Sequence, residues 1–128
     1  MSEIYKEWEV TKHWPPNLYL QALHDGYEGF RLLEDEKTGV FRLSFDSHLA
    51  YRNIDEGNRL RSLPALTKTR TSIVTIYEVE NSEWLRWFRE ESCGQYDRQK
   101  MYHWTIATPN DLIDVLSLEP PIATELTI

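Results

Sequence analysis

The sequence predicts an α+β domain built on a curved, mainly antiparallel sheet with two or three short helices, and three observations carry that expectation. Phe41, Leu43, Phe45, Leu49 and Tyr51 are apolar while Arg42, Ser44, Asp46, His48 and Arg52 alternate with them, the period of two of a half-buried strand. From Ser72 to Glu80, Ile73, Thr75, Tyr77 and Val79 share one parity and Val74 and Ile76 the other, as in a central strand covered on both faces. Finally, the amphipathic segment NSEWLRWFREESCG, beginning at Asn81, runs directly into the strand-like MYHWTIA.

At 128 residues the chain fits one compact domain spanning 1–128, and its 41% hydrophobic fraction supplies enough apolar area to offset the entropy of ordering it. From Tyr5 to His13, Trp8 and Val10 share a parity, so this stretch reads as a strand that Pro15–Pro16 stops. Asn17 to His24 and Tyr27 to Glu34 read as a hairpin around Asp25–Gly26, a dipeptide that tolerates positive φ. The acidic run Glu34–Asp35–Glu36 before Lys37 reads as a solvated hairpin tip.

The alternating segment from Phe41 to Tyr51 exceeds an ordinary strand, which calls for a bend or bulge near Asp46–Ser47 and a strongly curved sheet or partial barrel. Asp55 is placed to cap a short helix through Leu63, weakened by Gly57 and ended by Pro64. In the segment after Asn81, a rotation of about 100° per residue puts Trp84, Leu85, Trp87 and Phe88 in one arc opposite Arg86 and Glu90. Asn81 or Ser82 caps its start and Gly94 its end.

Thr108–Pro109–Asn110–Asp111 has the composition of a helix start, with Leu112, Ile113, Val115 and Leu116 as the buried face of a third helix ended by Pro120–Pro121. A short final strand is expected over Ile122–Leu126. The strands on either side of the Asn81 helix are left as parallel neighbours or as separated members of one sheet.

The residues that usually carry chemistry are scattered. His13, His24, His48, His103 and Cys93 include no pair at ligand spacing, so neither a metal site nor a cofactor is expected. No GxSxG elbow or Gly-rich phosphate loop occurs, and no catalytic residue is assigned. Cys93 with His103 on the following strand is the one nucleophile–base pairing worth testing, and an incidental thiol is the simpler reading. Asp55 and Glu56 are adjacent, so their side chains diverge and shared acid–base work is not expected. Asp111 and Asp114 are explained by the positive end of the third helix.

A net charge of −7 disfavours nucleic acid and anionic membranes as partners and suits a basic protein. The unpaired Cys93 points to a reducing compartment, and the charged opening MSEIYKEWEV has no apolar signal core, so a cytoplasmic location is expected. Trp14, expected exposed before its prolines, together with Arg52, Asp55 and Glu56, forms the candidate binding surface. The leading expectation is a non-enzymatic protein-binding module, such as an inhibitor, an immunity-type antidote or an adaptor.

A second reading is a small-molecule or enzymatic pocket between the sheet and the Trp84–Phe88 helix. Glu91, which falls inside the aromatic arc, and His103 would be its polar groups. Glu91 either reaches water or pairs with Arg52 or His103, while His103 by itself reads as a hydrogen-bonded structural residue. A homo-oligomeric structural protein is the third.

Overall fold

The computed structural model describes residues 3–14, 18–26, 29–36, 39–55, 76–108 and 111–127. Its strands are β1 (Ile4–Glu7), β2 (Tyr19–Gly26), β3 (Gly29–Glu36), β4 (Gly39–Phe45), β5 (His48–Asp55), β6 (Ile76–Glu80), β7 (Tyr102–Ala107), β8 (Asp111–Ser117) and β9 (Ile122–Thr127). A 3₁₀ turn covers Glu9–Thr11, and the helix α1 covers Glu83–Glu91. One sheet has five strands in the order β1-β6-β7-β8-β5, the other four in the order β2-β3-β4-β9. Among the described residues every strand pairing is antiparallel, and the sheets do not close into a barrel.

The main core lies between the sheets. Leu43 and Phe45 from the smaller sheet meet Ile76, Trp104, Ile106, Ile113 and Val115 from the larger one, with Trp14 and Leu18 filling the same layer. These large side chains are removed from water almost completely, which is the dominant stabilising term for a chain of this size. The alternation of strands puts the neighbouring residues on the outer face of the larger sheet, where Tyr5, Tyr77, Val79, Ala107 and Leu112 form a second apolar cluster. β6 is covered on both faces, with Ile76 in the core between the sheets and Tyr77 and Val79 in the outer cluster; residues 72–75 of the expected strand lie outside the described residues.

Several expectations give way to specific interactions. Phe41 to Tyr51 is two strands: β4 ends at Phe45, a turn occupies Asp46–Ser47, and β5 begins at His48 in the other sheet. The alternation runs on across the break, but only the β4 part buries its apolar side chains fully: Leu43 and Phe45 are buried, whereas Tyr51 on β5 is exposed. A register irregularity between His48 and Ala50 lies next to the expected bend.

The expected third helix is the strand β8. Its neighbours β7 and β5 take its backbone hydrogen bonds on both sides, and it is covered on both faces, so Leu112, Ile113, Val115 and Leu116 are all buried without helical geometry. The Tyr5–His13 strand stops at Glu7. The 3₁₀ turn follows and leaves Val10 exposed.

In the first hairpin Asp25 and Gly26 belong to β2, paired with Phe30 and Gly29, rather than to the turn. Glu34, Asp35 and Glu36 belong to β3 and pair with Phe41, Val40 and Gly39, so the acidic run is strand rather than tip. Asp55 ends β5, paired with Asp111; the helix expected after it lies outside the described residues. The strands flanking α1 are antiparallel neighbours. The final strand is present as β9, paired with β4.

Candidate recognition site around Arg52 and α1

α1 starts where the sequence places it. Ser82 is its N-cap, its hydroxyl oxygen accepting from the Leu85 amide at 3.0 Å. At the other end Cys93 and Gly94 take positive φ values of 53° and 77°, and the Arg89 guanidinium donates to the carbonyls of Tyr96 and Gln99 at 2.8 and 3.0 Å. The helix is therefore held at both ends, and it lies on the outer face of the larger sheet.

Beneath it sits a polar network built by strand register. Arg52 on β5 and Thr105 on β7 are the direct partners of Asp114 on β8, and His103 lies two residues along β7 on the same face. The Arg52 Nε donates to Asp114 Oδ2 at 3.0 Å, while Thr105 Oγ1 and His103 Nε2 both lie 2.7 Å from Oδ1. His103 Nδ1 lies 2.6 Å from Ser82 Oγ. A carboxylate only accepts, so the proton belongs on Nε2, and Nδ1 then accepts the Ser82 hydroxyl. This assignment gives Asp114, fully buried, three side-chain donors and leaves neither imidazole nitrogen unengaged.

Ser82, His103 and Asp114 thus stand in the order hydroxyl, imidazole, carboxylate. Such a chain activates a serine when a substrate carbonyl reaches the oxygen. Here the Ser82 oxygen is committed to the first turn of α1, and Trp84 closes over His103 edge-on with ring centres 5.4 Å apart. The chain holds the helix to the sheet.

Above the network lies an open cleft of about 470 Å³ between β5 and α1, lined by Ala50, Tyr51, Arg52, Trp84, Trp87, Phe88, Glu91 and Ser92. The Arg52 guanidinium rests on the Trp84 ring, 4.4 Å from its centre, so the floor is a cation–π stack tied from behind to Asp114. Trp87 stands half exposed at the rim, at 51%, on the same arc as Trp84, Phe88 and Glu91.

The residues expected to matter are only partly brought together. Arg52 and Glu91 line this cleft together, and His103 lies beneath it, fully enclosed. Trp14 is 3% exposed and packs on Phe41 in the main core, which removes it from any surface. Its indole fills the layer between the sheets because the chain turns inward after the 3₁₀ turn. Asp55 is at the far end of β5, and Glu56 lies outside the described residues. Cys93 is exposed beyond the end of α1, apart from the enclosed His103.

Sequence reasoning missed Asp114 and Ser82 as parts of one site. Their signal was the shared parity of His103 and Thr105 in β7, opposite a carboxylate interrupting an apolar run. Among the described residues, no group of His, Cys, Asp and Glu has the arrangement of a metal site, and no helix is long and apolar enough to cross a membrane. In comparisons with known proteins, no family model, curated protein or solved structure matches the chain.

Proposed function

We propose that this chain is a non-enzymatic protein-recognition module of the inhibitor, immunity or adaptor kind, and that it takes its partner at the cleft between β5 and α1. The observation that carries the reading is Trp87: a half-exposed tryptophan on a helix fixed at both ends, beside an arginine already held by a buried carboxylate. Tryptophan and arginine are enriched among interface residues that dominate binding energy, and side chains ordered beforehand lose little entropy when a partner docks. The net charge of −7 would steer a basic protein toward it. The exposed, unpaired Cys93 suits a reducing, cytoplasmic setting.

A photo-crosslinking side chain at position 50, where Ala50 lines the cleft and Trp87 is left in place, with a second at the exposed Val10 as control, tests this in cells. The expected result is one discrete, basic protein captured from position 50 and not from position 10. Capture from neither, or from both alike, would reject the cleft as the recognition face. Trp87→Ala is expected to weaken the purified complex about 30-fold while leaving the melting temperature nearly unchanged.

The cleft volume favours one other reading. About 470 Å³ falls within the range of small-molecule sites, and a ligand binding there would raise the melting temperature by mass action. A stabilising hit from a metabolite panel, abolished by Trp87→Ala, would support that reading over a protein partner.

A further inference from the structure

We propose that the cleft receives a basic side chain of the partner, arginine in preference to lysine, stacked on Trp87 and paired with Glu91. This rests on the protein-recognition reading and names the chemistry of its contact. The charges in the cleft decide its sign. Arg52 contributes one positive charge, but Asp114 lies directly behind it at 3.0 Å and Trp84 covers one face of its guanidinium. That pair cancels to first order. Glu91 is exposed, lines the same wall, and makes no ion pair among the described residues. The unmatched charge at the mouth of the cleft is therefore negative, in agreement with the net −7 of the whole chain.

The walls favour a cation as well. Trp87 and Phe88 stand at i−4 and i−3 from Glu91 on α1 and line the cleft with Trp84, so a cation reaching the carboxylate passes along aromatic rings. A guanidinium is planar, stacks on indole and meets a carboxylate with two parallel donors, whereas an ammonium is a compact, strongly hydrated point charge. Arginine should therefore bind more tightly than lysine. An acidic side chain would meet Arg52 only in competition with Asp114 and would face Glu91 across the opening.

The test uses the full chain and acetylated Gly-Leu-X-Leu-Gly amides, with X as arginine, lysine, glutamate or leucine, read by the indole N–H signals of Trp84 and Trp87 and the amide of Glu91. The arginine peptide is expected to shift these signals saturably, the lysine peptide more weakly, and the other two not at all. Trp87→Ala and Glu91→Gln should each weaken the arginine peptide about two- to fivefold. Glu90→Gln, which removes the same charge from the adjacent position, about 100° round the helix and outside the cleft lining, should not.

Equal weakening by Glu90→Gln would reduce the effect to bulk charge and overturn the proposal. So would preferential binding of the glutamate peptide, equal binding of the leucine peptide, or no response to any of the peptides. A partner crosslinked at position 50 through an acidic segment would overturn this contact while leaving the recognition reading intact. Arginine binding that depends on Glu91, with no partner captured in cells, would do the reverse.

Discussion

Asp114 is the residue on which the outer face of the larger sheet depends. It is fully buried, and Arg52, His103 and Thr105 all reach it from neighbouring strands. Burying a carboxylate is costly, and only the convergence of donors makes it tolerable. Asp114→Ala would strand a buried imidazole and hydroxyl along with the guanidinium. Because Arg52 can still reach water, the expected loss is near the lower end for a broken buried pair, about 3 kcal/mol, measured by urea denaturation. Asp114→Asn, which keeps the shape and one acceptor oxygen, should lose less. Ser82→Ala removes both the helix cap and the partner of His103 and should cost about 1–2 kcal/mol in the same assay.

Among the elements, α1 was legible and β8 was not. The aromatic arc of α1, its Ser82 cap and its Gly94 terminus are local signals, set by residues within a turn or two of one another. Gly94 has φ of 77°, and a Cβ there would approach Asp97 Oδ2 to 2.9 Å, so Gly94→Ala should cost about 1 kcal/mol in thermal or chemical unfolding. β8 carries no such local mark. In Leu112–Leu116 the apolar positions suit one helix face and equally a strand covered on both sides, and the acidic start after Thr108 tipped the reading toward helix. What makes it a strand is non-local: β5 and β7 flank it, and Asp114 finds partners on both. The amides of Ile113 to Leu116 should be among the slowest to exchange with deuterium. Rapid exchange there would argue against β8 as a central strand.

At the scale of the whole molecule, the chain passes from one sheet to the other at Asp46–Ser47, and the Leu118 amide donates to the Ser47 carbonyl at 3.1 Å, tying that crossing to the end of β8. The core between the sheets depends on residues distant in sequence, such as Phe45 and Trp104. Phe45→Ala should cost about 3–5 kcal/mol, and a loss below 1 kcal/mol would mean that the two sheets do not share this layer. Alternating segments and one capped amphipathic stretch announced an α+β domain built mainly on antiparallel sheet, but which strands meet across the core depends on pairings that no local pattern records. The same holds for the candidate site. Arg52 and Glu91 were visible as separate residues, yet only register and the seating of α1 bring them to one cleft, while Trp14 went inside.

The claim that recognition occurs at this cleft is tested most directly by hydrogen exchange on the chain with its crosslink-identified partner bound and free. New protection should be confined to β5 near Ala50–Arg52 and to α1 with the residues just after it. Protection concentrated instead on β2 and β3, or along the edge strand β1, with the cleft unchanged, would contradict it.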